Sequence, residues 1–132
     1  LRRSIQISSA QRAAEIRSEE NLKKLEKIIT TNKKHIGDDF ELFSKIDYDF
    51  HIQVVKCSEN NLCYKLMETL NILMKKQLYD IICNLPLNDR NRTVYYHTKI
   101  YESIRDQKPD EAMNYMIKHM ERAYNIYKQK GK

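Results

Sequence analysis

Apolar side chains at Phe43, Ile46, Phe50, Val54 and Cys57 recur every three or four residues, the spacing of one helix face. Asp47 and His51 stand beside that stripe, four residues apart. On a helix they share a face, one turn from each other, so a carboxylate and an imidazole border the core. A buried polar group without a partner is costly, and the fold must therefore bring partners to this pair. The candidates lie far downstream, at His97 and His119.

The same periodicity runs through the rest of the chain. A first helix is predicted over Leu1–Arg17, with Ile5, Ala13 and Ile16 inward and Ser8, Ser9 and Ala10 small enough for close packing. Ser18 before Glu19 and Glu20 suits a helix start. That second helix runs to about Lys34 with Leu22, Leu25, Ile28 and Ile29 inward. Gly37 fits a helix C-cap, and Asp38 or Asp39 an N-cap for a third helix from Phe40 to about Cys57. After Ser58-Glu59-Asn60-Asn61, one long helix is expected from Leu62 to about Cys83, with Leu66, Leu70, Leu73, Met74, Leu78, Ile81 and Ile82 on its apolar face. Leu85 to Asp89 forms a connection to a helix over Arg90–Arg105, with Val94, Tyr101 and Ile104 inward. Asp106 to Pro109 is a tight link, and Pro109 suits the first position of a last helix reaching about Lys128 through Ala112, Met116, Met120, Ala123 and Tyr127.

Helices joined by short links predict an all-α antiparallel bundle of six to seven helices. Two Gly and two Pro in 132 residues are too few for a turn-rich β fold. The apolar runs fall far short of a membrane span, and no signal-peptide pattern opens the chain. Three cysteines without a CxxC pair suggest reduced thiols and a cytoplasmic protein. The net charge of +6 is scattered over Lys23, Lys24 and Lys27, Lys33 and Lys34, Lys75 and Lys76, and the terminal lysines. That reads as solvated helix faces rather than a nucleic-acid groove. The chain begins at Leu1 without a methionine, which suggests a fragment or a processed product.

His97 lies eleven residues before Lys108, at the last link, and His119 eleven after it. In an antiparallel hairpin such residues come level. Both also continue inner stripes, Val94-His97-Tyr101-Ile104 and Ala112-Met116-His119-Ala123. With Asp47 and His51 they make one carboxylate and three imidazoles, a donor set for zinc, nickel, cobalt, iron or manganese. Four such ligands on an octahedral ion leave positions open. The spacing also fits two plainer readings: Asp47 paired with His51 or a lysine, and His97 and His119 as satisfied core histidines. His35 sits in a linker with no inward stripe and is excluded.

These residues resemble the ligand-sensing domain of the FadR subfamily of GntR-type bacterial transcription regulators, the FCD domain. Asp47-Tyr48-Asp49-Phe50-His51 is similar to that family's D-x-x-F-H motif. Asn60 follows His51 by nine residues, where the family has an Asn. His97, Ala112 and His119 match H-x(14)-A-x(6)-H. Arg2-Arg3-Ser4-Ile5-Gln6 and Ala13-Ala14-Glu15 are similar to the first helix, R-x-x-L-E then A-A-E. The resemblance implies a homodimeric helical domain spanning residues 1–132, with one divalent metal, zinc foremost, held by Asp47, His51, His97 and His119. It further implies a small carboxylate effector, bound with help from Arg2 and Asn60. DNA would be engaged only through a winged helix-turn-helix that would precede this chain and is absent from it. Three positions depart from the pattern: Gln6 replaces a Glu, and Gln107 and Lys108 replace a Gly-Asp before the last helix. Competing functions are a small helical metalloenzyme, since a metal with open positions activates water, and a metal-free structural or interaction bundle.

Overall fold

The computed structural model describes residues 1–83 and 85–130, without the side chains of residues 81–83, 127, 129 and 130. The expected inward positions Ile81, Ile82 and Tyr127 lie outside the described side chains. Among the described residues, seven helices form an all-α bundle: α1 (Arg2–Ile16), α2 (Glu19–Lys34), α3 (Phe40–Cys57), α4 (Asn61–Leu73), α5 (Lys75–Cys83), α6 (Leu87–Arg105) and α7 (Pro109–Lys130). Among the described residues there is no strand, and no helix is long and apolar enough to cross a membrane.

The helix ends follow local chemistry. The Ser18 hydroxyl accepts the Asn21 amide at 3.1 Å, the Asp39 carboxylate accepts that of Leu42 at 2.9 Å, and the Asn60 carbonyl accepts that of Cys63 at 3.1 Å. Each satisfies a first-turn N–H that has no partner within its helix. Of the small residues expected to pack closely in α1, Ser8 is instead exposed. Ser9, Ala10, Ala13 and Ala14 are buried, letting α1 pack closely on α3 and α7. The main core joins Leu25 and Ile29 of α2, Phe50 and Val54 of α3, Ile100 and Ile104 of α6, and Met116 of α7.

Four local expectations are corrected. The long fourth helix is two helices, divided at Met74. Both α4 and α5 keep contact with α3, which a single straight rod would leave after a few turns. Its apolar face is correspondingly discontinuous: Leu66 and Leu73 are exposed, as are Leu62 and Ile72, whereas Leu70, Met74 and Leu78 turn inward and are half-buried. Helix α6 starts at Leu87, before Arg90, because Pro86 takes the N-cap with φ −61° and its carbonyl receives the amides of Asp89 and Arg90. The C-cap of α2 is His35, not Gly37, and no described glycine has positive φ. The Asp38 amide reaches the His35 carbonyl, and the His35 ring pairs with the Asp38 carboxylate, so the turn closes without glycine. Ile16 and Ile28 are only half-buried.

The left-handed residue of the bundle's last turn is Gln107, with φ 55°. Its amide bonds the Ile104 carbonyl and the Lys108 amide bonds that of Ser103, closing α6 in a Schellman arrangement. This turn sends α7 back along α6 and sets the register of the two helices.

Candidate metal centre

Asp47 and His51 lie on α3, His97 on α6 and His119 on α7, and one ligand atom from each falls within 4.8 Å of all the others. The Asp47 carboxylate is 3.2 Å from His97 Nε2 and 3.7 Å from His51 Nε2, while the Nε2 atoms of His51 and His119 are 3.3 Å apart. All three imidazoles are buried, His97 completely. Phe50 stacks on the His97 ring with centroids 3.8 Å apart, fixing its plane from below.

Two buried amides orient these rings. The Nδ1–H of His97 donates to Asn32 Oδ1 at 2.8 Å. The Nδ1–H of His51 donates to Gln6 Oε1 at 3.1 Å, while Gln6 Nε2 donates to the His51 carbonyl at 3.3 Å. With the proton on Nδ1, each ring turns an Nε2 lone pair toward the Asp47 carboxylate. Acceptor therefore faces acceptor at the centre. Among the described residues, His97 Nε2 is buried with no hydrogen-bond partner, as is His119 Nδ1. Two inward lone pairs, those of His51 and His97, beside one carboxylate repel it unless a proton or a cation sits among them. The donor set thus fits a borderline divalent ion, whose histidine ligands commonly donate their second N–H to a neighbouring acceptor.

The electrostatics agree. Burial pushes His51 down to about 3 against the pull of Asp47, and burial holds His119 well below its ordinary value, with His97 and His51 adding to the effect. Neutral imidazoles are the form that binds metal. Burial works to raise the Asp47 carboxyl, but the imidazoles around it, in their protonated form, outweigh it and hold it below the usual carboxylate range.

A cavity of about 480 Å³ opens beside the cluster, and Asp47, His51, His119 and Arg2 all line it. His97 lies behind this surface. Burial lowers the Arg2 guanidinium from its ordinary value, opposed by Asp47. Arg2 Nε donates to Asn71 Oδ1 at 3.3 Å, and Asn71 is buried with its amide nitrogen unpaired. Asn60 lies elsewhere: it is exposed at the start of α4, where it caps the helix. His35 is likewise apart, in its turn with Asp38.

Gln6, Asn32 and Asn71 were not singled out from the sequence as site residues. Asn32 left a signal, since Leu22, Leu25, Ile29 and Asn32 form one helical stripe whose last member is an amide. Gln6 was noticed only as a departure from a family pattern. Asn71 carries no such mark, because the stripe of its helix is broken.

Residues 1–122 match the family profile described as the FCD domain. Over 112 residues the chain is 29% identical to an uncharacterized HTH-type transcriptional regulator of Bacillus subtilis (strain 168), YcbG. The alignment covers 82% of this chain and 43% of that regulator, so the chain spans less than half of its relative's length.

Proposed function

The chain belongs to the FCD domain family, and from that premise we propose that it is the effector-sensing domain of a GntR-type, FadR-subfamily transcription regulator, holding a divalent metal and a small carboxylate. Asp47, His51, His97 and His119 hold the ion, zinc first among the candidates. When bound, the ion supplies an electrophilic centre for a carboxylate oxygen. Asp47 balances part of the ion's charge, Gln6 and Asn32 fix the rings, and Arg2 presents a second cationic group on the same cavity. A guanidinium in a partly dry site favours a carboxylate strongly. DNA binding belongs to a helix-turn-helix outside this chain, and the regulator acts in the cytoplasm as a homodimer. The exposed Leu62, Leu66, Ile72 and Leu73 on α4 supply apolar surface for pairing.

The observation that carries this reading is the inward convergence of four donors with His97 Nε2 buried and unpaired. A sensor is favoured over an enzyme because the candidate bases nearby in sequence pair with lysines and do not line the cavity: Asp49 with Lys45 at 3.1 Å and Glu102 with Lys99 at 3.9 Å. The test is elemental mass spectrometry on protein purified without chelator. About one divalent ion per chain is expected. No metal, and no uptake when zinc, nickel or manganese is supplied, would overturn the reading.

A further inference from the structure

Resting on that carboxylate-sensing reading, we propose that the acid recognised here is an apolar monocarboxylate, with an aliphatic or aromatic body, rather than a sugar acid, hydroxy acid or dicarboxylate. Its carboxylate faces Arg2 and the Asp47–His51–His119 surface, and its body lies along the rest of the cavity. At about 480 Å³ the cavity falls within the roughly 300–1,000 Å³ typical of sites that enclose drug-sized ligands. An acid of two or three carbons would leave most of it unfilled.

The walls away from the cluster decide the chemistry. Leu70, Met74, Leu78, Leu85, Met120 and Ile126 line them. Other polar groups on the lining are already engaged or face solvent. Arg122 is held by the Asp89 carboxylate, and Arg3 pairs with Glu121 at 3.2 Å. The Thr93 hydroxyl donates to the Asp89 carbonyl at 3.0 Å. Gln77 and Tyr124 are exposed. A polyol or a second carboxylate would bring polar groups against apolar walls without partners, which opposes binding. An apolar body would instead remove both surfaces from water. Among the described residues, Arg2 alone of the lining arginines has no carboxylate within ion-pair distance; its Nε–H rests on Asn71. That leaves one free guanidinium, and hence a place for one carboxylate.

The test is calorimetry on the zinc-loaded protein with acetate, butanoate, hexanoate, octanoate and phenylacetate, set against gluconate and citrate. Affinity is expected to rise about fourfold per added methylene until the cavity is filled, with gluconate and citrate weaker than hexanoate. Octan-1-ol should bind at least tenfold more weakly than octanoate. Leu78→Asp should weaken octanoate at least tenfold more than it weakens acetate, and an unchanged far-UV circular dichroism spectrum certifies the fold. If Leu78→Asp does not fold, the length series on the unaltered protein decides. Equal affinity from acetate to octanoate, tighter binding of gluconate or citrate, or octan-1-ol matching octanoate overturns the proposal while a carboxylate sensor stands. No binding by any acid to zinc-loaded protein overturns both.

Discussion

Asn32 Oδ1 lies 2.8 Å from His97 Nδ1, and both residues are fully buried. That contact fixes the tautomer of His97 and aims its Nε2 at the Asp47 carboxylate. Asn32 therefore supports the candidate metal centre without reaching its donor atoms. Asn32→Ala should weaken zinc retention by about 10–100-fold, the range for losing such an orienting partner. Competition against a fluorescent chelator measures it. Unchanged retention in a folded variant would mean that Phe50 stacking alone orients the ring.

The four histidines of the chain divide sharply. His97 and His119 face the cluster, whereas His35 is bonded to Asp38 in a surface turn. His97→Ala and His119→Ala are each expected to abolish metal retention, and with it the rise in melting temperature on adding zinc. His35→Ala should alter neither. Equal losses from all three substitutions would reduce the metal effect to a general consequence of destabilisation.

This division was legible in the sequence because it rests on local geometry. Residues equidistant from a tight turn between two helices come level, and the ring centroids of His97 and His119 are indeed 4.9 Å apart. The pairing of Asp47 with His51 followed from helical spacing alone. What escaped was set by long-range packing. The break at Met74 has no proline or glycine, so no residue announces it. Nothing local places Asn71 of α4 beside Arg2 of α1, sixty-nine positions away in sequence. Asn60 was noticed instead, and its side chain is spent on capping α4. Gln6 looked like a charge change near Arg2, yet its amide serves His51 as donor and acceptor at once.

The α6–α7 turn carries a residue in a strained conformation. Gln107 adopts φ 55°, a left-handed geometry that costs a non-glycine residue about 1–3 kcal/mol. Glycine relieves it but gains freedom in the unfolded chain. The side-chain donation from Gln107 to the Glu15 carbonyl, 3.3 Å and exposed, is also lost. The net expectation for Gln107→Gly is a stabilisation of about 0.5–1 kcal/mol, or roughly 2–4 °C in melting temperature. Metal content should not change, since the hydrogen bonds from backbone 107 and 108 persist. A lower melting temperature would show that the Glu15 contact outweighs the backbone strain.

Acid should destabilise the metal-free protein, with a sign fixed by the buried imidazoles. Burial pushes His51 down to about 3 and holds His119 well below its usual value, whereas in the unfolded chain each titrates near 6.5. Between about pH 6.5 and 3, the unfolded chain accepts protons that the folded chain refuses. Stability is therefore full above about pH 6.5 and falls as the pH drops through that window. Asp47, held low by its imidazole neighbours, adds a loss of the same sign below its unfolded value near 3.9. Urea titrations of metal-free protein should show the midpoint falling steadily from pH 7 to pH 4. Bound zinc should steepen the fall, because protons compete for the same ring nitrogens, and a chelator should restore the shallower metal-free curve. In His119→Gln one buried imidazole is gone, and the slope should flatten. A midpoint independent of pH from 7 to 4 would mean that the rings titrate alike in the folded and unfolded chains, and that the cluster is open to water rather than closed inside the bundle.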